Sequence, residues 1–279
     1  MNSSARRLVP FLFVMTLLAS AAVRAEDGGR RVIPVGWADL YAGNMVDFRT
    51  LFSVGDHYTG YIPELSVQFG NGSLAAGLDF GLSIADVDGV DTDVFPGSFV
   101  ANFKARKCLE GNWRVCFGTE FEFSVAPFEV DDDGEASSLT IGLMTKQMRW
   151  SRYFAESIII DPLLAASFSH DILYFQISLG PSMIFPYTDN YGGDTTEVAL
   201  LYSFEGGLVV NDLIGAGFGF KGLSTVSFDD NETFFSLDFG LRLILDGVTP
   251  CFGINVPLSG DLYEDIIDVV ISLGVVAEL

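Results

Sequence analysis

The chain has 279 residues, a formal charge of −22 and a mean hydropathy of +0.37, with 25 Phe and 30 Gly. So acidic a balance argues against nucleic acid and anionic surfaces as direct partners, and such hydropathy would demand a very large core from a water-soluble fold. Three cysteines and two histidines leave little material for zinc binding or His-based catalysis.

Arg6 and Arg7, the apolar run 8–22 and the small residues around Ala25 form a secretory signal peptide over residues 1–25. The run is shorter than the ~20 residues a spanning helix needs. Its removal takes three arginines and brings the charge from −22 to −25. Residues 26–57 alternate poorly and carry Arg30, Arg31 and Pro34, so they read as an N-terminal extension or plug that could also supply one irregular strand.

From Tyr58 a two-residue beat sets in, the period at which strand side chains change face. Leu65, Val67 and Phe69 share one face, and the Asn71-Gly72 turn signal leads into Leu74, Ala76, Leu78, Phe80, Leu82 and Ile84. After the acidic loop 86–93, the stretch 99–125 alternates on both sides of Gly111-Asn112. Phe99, Phe103, Phe117, Phe121 and Phe123 fall on one face, with Lys104, Arg106, Arg114, Glu120 and Glu122 on the other. A second acidic loop, 129–135, precedes a short beat at Leu139, Ile141 and Leu143. The segment 148–154 follows, and its Trp150 and Tyr153 suit an interfacial aromatic girdle. Pro162 interrupts the strand over 157–169 and marks it for a bulge or edge.

The beat then resumes through Phe175 and Ile177, Phe204 and Leu208, Phe218 and Phe220, Phe239 and Leu241, and Phe252 and Ile254. It closes on Ile271, Leu273, Val275, Ala277 and Leu279. This final amphipathic strand resembles those that end bacterial outer-membrane β-barrel proteins, with Leu279 where such chains typically finish on an aromatic residue. The resemblance covers residues 58–279 and implies insertion in an outer membrane; it carries over no subfamily and no functional residue.

The resulting expectation is an all-β protein, a closed antiparallel transmembrane barrel of about twelve strands, with ten to fourteen open. Counting back from the C-terminus puts both acidic loops at the periplasmic end, against the rule that long loops lie outside. Cys108 and Cys116 flank the 111–112 turn on one face and are candidates for a disulfide in an oxidising compartment, provided the cross-strand register brings them together. Cys251 is left with a packing role.

Inward-facing charges of both signs, with Arg106, Arg114, Glu120, Glu122, Asp238 and Arg242 foremost, suggest a lumen constriction. Glycines at 77, 81, 118, 215, 217, 219 and 240 leave room beside them. The same charges could instead lock the barrel shut. The expected function is therefore a narrow outer-membrane pore for small hydrophilic solutes. The alternatives are a closed structural or adhesive barrel displaying acidic loops, or a secreted soluble carrier. No cofactor or metal is expected, since neither acidic loop follows Ca²⁺-loop spacing. No catalysis is expected either, since Ser169 and His170 point to opposite faces. The partners are outer-membrane lipid and small solutes; the oligomeric state stays open.

Overall fold

A computed structural model describes residues 42–130, 133–145, 153, 155–187, 196–210, 213–227, 233–245, 247–259 and 267–279. Its strands are β1 (Met45–Gly55), β2 (Tyr58–Gly70), β3 (Leu74–Val87), β4 (Asp93–Pro96), β5 (Phe99–Leu109) and β6 (Arg114–Ala126). After helix α1 (Asp133–Thr145) come β7 (Ser157–His170), β8 (Leu173–Pro186), β9 (Glu197–Val210) and β10 (Ile214–Thr225). The last three are β11 (Thr233–Leu243), β12 (Val248–Ser259) and β13 (Val269–Glu278).

Each strand pairs antiparallel with its neighbour, and β1 pairs with β13, so the sheet closes on itself. The short β4 and the longer β5 occupy one place in the wall, since both pair with β3, β4 against Leu82–Ala85 and β5 against Leu74–Asp79. The wall therefore has 12 staves. No helix among the described residues is long and apolar enough to cross a membrane.

The two-residue beat sorts the residues as the sequence predicts. Leu78 is 68% exposed, Phe117 51%, Leu241 52% and Leu273 48%, all on the outer face. Glu64, Asp79, Glu120, Glu122 and Asp238 are buried on the inner face. A soluble sandwich or carrier would reverse this assignment. Here the apolar surface faces outward in the manner of a lipid-facing band, and the polar set faces in.

Pairing corrects three readings. The wall begins at Met45 rather than at residue 58, because the stretch assigned to a plug supplies the complete strand β1, paired over its length with β2 and β13. Leu139 and Ile141 belong to α1 rather than to a strand. Ser138, Ile141 and Gly142, three and four residues apart, share the helix face turned to β3, a spacing that a short alternating run conceals. Tyr153 does not stand in a girdle; it is fully buried, with its hydroxyl donating to Leu82 O at 3.4 Å. Trp150 and the signal peptide lie outside the described residues.

Removing the false strand between residues 139 and 154 resolves the loop conflict. The two ends of the wall, Met45 and Glu278, pair with each other. Their end of the barrel also holds the short connections β2–β3, β5–β6, β7–β8, β9–β10 and β11–β12. The opposite end carries the long ones, including both acidic loops and α1. By loop length the first end is periplasmic and the second external.

Local signals held where they were strong. Asn71 Oδ1 accepts from the amides of Ser73 and Leu74, and Gly72 takes φ 86° in the β2–β3 turn. Around Pro162 the β7–β8 ladder lapses between Ile160 and Leu164, while the β6–β7 ladder continues. The register on either side sets Pro162 opposite Pro181, and neither has an N–H to offer the other.

Leu78 is the fifth residue of β3 and lies on its outer face, so Leu78→Arg should lower the stability of the bilayer-inserted protein by up to ~2–4 kcal/mol. Urea titration in lipid vesicles, read by heat-modifiable gel mobility, measures this.

Candidate functional site: the lumen

Inward positions on neighbouring strands meet at mid-height as a belt of ionic and amide side chains. Lys104 and Glu120 are cross-strand partners whose Nζ and Oε1 lie 3.4 Å apart. Across the lumen, Lys221 Nζ lies 2.8 Å from Asp238 Oδ2, and Asn255 Nδ2 donates to Asp238 Oδ1 at 3.0 Å. Asn102 Nδ2 donates to Asp79 Oδ2 at 3.0 Å, and the hydroxyls of Ser178 and Ser203 are 2.6 Å apart. Between these groups the register sets Glu122 beside both Asn102 and Asp161, and Gln176 beside Glu205.

Acids outnumber bases on this inner face. Asp47, Glu64, Asp79, Glu120, Glu122, Asp161, Glu205 and Asp238 stand against Arg49, Lys104, Lys221 and Arg242. Charges out of bulk water must be compensated locally, and the pairs above do so at the points of closest packing. No His, Cys, Asp and Glu group among the described residues is arranged to hold a metal ion.

Of the residues that the sequence marks for a constriction, Glu120, Glu122 and Asp238 lie on the belt. Arg242 points inward but stands nearer the periplasmic end, with its Nε 2.6 Å from where a Cβ on Gly215 would be. Arg106 and Arg114 are not on the belt. Arg106 Nε donates to Gly72 O at 2.6 Å in the β2–β3 turn, and Arg114 pairs with Glu110 at 3.0 Å beside the β5–β6 turn. Both sit at the ends of their strands, where an inward register does not bring a side chain to mid-height. Sequence reasoning passed over Arg49, Asp161 and Gln176. Arg49 fell in the stretch taken for a plug, Asp161 in the strand that Pro162 disturbs, and Gln176 carries no charge to attract notice.

Near the periplasmic turn, Cys108 and Cys116 are opposite each other on β5 and β6 and joined by a disulfide. Cys251 is free and faces inward between Arg242 and Gly274.

The external mouth is narrowed by α1. Ser138 Oγ donates to Asp93 O at 2.7 Å and accepts from Ala85 N at 3.0 Å, and Ser83 Oγ donates to Ser138 O at 2.5 Å. Ile141 and Tyr153 join Leu51, Tyr58, Ile62, Ala85, Ile267 and Val270 in one buried apolar cluster inside the wall. The approach is close enough to require glycine at 142, where a Cβ would fall 2.7 Å from the Tyr153 ring and 2.9 Å from Ser83 Cβ. Beyond the end of β8, Tyr187 donates its hydroxyl to Ala126 O and ties this loop to the rim. Burial, with Glu156 and Glu129 nearby, pushes its phenol pKa upward, which keeps that donor protonated.

A closed 12-stranded barrel, apolar outside and ionic within, is the architecture of bacterial outer-membrane β-barrel proteins. The chain is similar to several solved structures. A NanC porin is 12% identical, covers 84% of this chain and 100% of its own, and superposes with a TM-score of 0.58. A KdgM porin solved with disordered oligogalacturonate is 10% identical over 84% of this chain and 99% of its own, with a TM-score of 0.47. The translocator domain of the autotransporter NalP from Neisseria meningitidis is 12% identical over 99% of this chain and 98% of its own, also at 0.47. No family model and no curated protein sequence matches the chain.

Glu120→Ala should remove a carboxylate partner from the buried Lys104 and destabilise the barrel by up to ~3–5 kcal/mol, whereas Lys104→Met with Glu120→Leu should recover most of that loss. Equilibrium unfolding of the three proteins in the same vesicles compares them directly.

Proposed function

We propose that this protein is a narrow passage for small hydrophilic solutes across the outer membrane. The observation that carries the reading is the ionic and amide belt at mid-barrel, which offers a polar solute hydrogen-bonding partners at the depth where the outer face offers none. A barrel of this size also lies between those filled by side chains and those with a wide aqueous channel. The NanC structure that shares the fold is itself a porin. Glu120, Glu122, Asp238 and Arg242 shape the lumen in this reading. No catalytic step is proposed for any of them.

A second reading, a closed structural barrel, draws on one observation. Glu120, Glu122, Asp161 and Gln176 are almost wholly buried, and α1 is packed inside the mouth. Planar-bilayer recording separates the two. Discrete conductance steps from the purified, folded protein are expected, and replacing residues 133–145 by a short Gly-Ser linker should enlarge them. Silence from both proteins would favour the closed barrel.

A further inference from the structure

The belt is not equally crowded all round. On β5 and β6 the paired side chains of Lys104 and Glu120 are 4% and 1% exposed, whereas on β1 those of Arg49 and Asp47 are 29% and 17% exposed. The inward residues of β12 and β13 beside Arg49, among them Cys251, Asn255 and Ser272, are likewise only half-buried. Residue size accounts for the contrast. At mid-strand the crowded wall carries Lys104, Glu120 and Glu122, while the middle of β12 and β13 turns Cys251, Gly253, Asn255, Ser272 and Gly274 inward. A wall of short side chains leaves space that a facing wall of long ones does not fill.

The two arginines of this sector keep that space open by lying along the wall. Arg242, Cys251, Gly274 and Arg49 are successive partners across β11, β12, β13 and β1. Arg242 lies over Gly215, and a Cβ on Gly274 would fall 3.4 Å from Arg49 Cγ. Each long side chain thus uses a neighbouring glycine as its bed. A side chain at Gly215 would displace Arg242 from this bed.

We propose that solutes pass off the barrel axis, along a lane formed by β12, β13 and β1, with Cys251 at its side between Arg49 and Arg242. This deepens the passage reading and rests on it. Arg49 and Asn255 supply the lane's hydrogen-bonding surface, Arg242 is buried at its edge, and the Glu120–Lys104 side of the belt acts as a packed wall.

Cys251 makes the lane testable in the native chain, because Cys108 and Cys116 are held in their disulfide. Its thiolate attacks the sulfenyl sulfur of a sulfonatoethyl methanethiosulfonate, forms a mixed disulfide and releases methanesulfinate. Channels recorded before and after this reagent should lose about half or more of their conductance, since flow through a narrow lane follows its free cross-section. Cys251→Ser should conduct and be insensitive, and Ser272→Cys in that background should restore the block. Full modification by intact mass with unchanged current would overturn the lane and leave the passage standing. So would steady current through a protein whose Cys251 stays unmodified. Absence of current from the native and Cys251→Ser proteins alike would overturn the passage reading itself, and the lane with it.

Discussion

A bilayer supplies no water to backbone amides, so every N–H and C=O at that depth must find its partner within the protein. The pairing of β1 with β13 meets this demand, converting two open edges into a continuous wall. Each unpartnered group would cost several kcal/mol in hydrocarbon, far more than the weak patterning of Met45–Gly55 could oppose. That strand carries Arg49 and Ser53 inward and Phe52 and Val54 outward, and it is held by hydrogen bonding on both sides more than by its own alternation.

Closure makes the inner face a place where polarity must be arranged pair by pair. Lys104 with Glu120 and Lys221 with Asp238 compensate charge where packing is tight, and Asn102 and Asn255 bring amide donors to Asp79 and Asp238. Acids still exceed bases, so the inner surface has a negative field overall, with Arg49 and Arg242 on one sector and Arg106 and Arg114 at the strand ends of another. Lys104, Glu120 and Glu122 on β5 and β6 face the shorter mid-strand residues of β12 and β13, the unevenness on which the proposed lane rests.

The external end follows a different logic. There α1 brings Ile141, with Tyr153 beside it, onto an apolar patch of the inner wall, and the Ser83–Ser138–Asp93 hydrogen bonds hold it in place. Water-facing loops are free to be long on this side, and both acidic loops lie here. Asp86, Asp88, Asp91 and Glu129 are exposed there and leave the membrane-spanning belt undisturbed.

The alternation from Tyr58 to Leu279 determined by itself which side of each strand meets lipid, because a strand's faces depend only on its own two-residue period. It thereby indicated a barrel of about twelve strands and brought Glu120, Glu122 and Asp238 inward. The Asn71-Gly72 turn was equally legible, since its signal is local. Tertiary structure alone decided the rest. Beats at 139, 141 and 143 fit a strand and hide the helix face of 138, 141 and 142, and only contact with Ser83 and Gly60 selects the helix. Arg49 becomes a lumen residue only when β13 pairs with β1, and Arg106 and Arg114 leave the belt only when strand ends are placed in height. These outcomes depend on neighbours tens to hundreds of residues away in sequence, and no local period records which strands the closed sheet sets side by side.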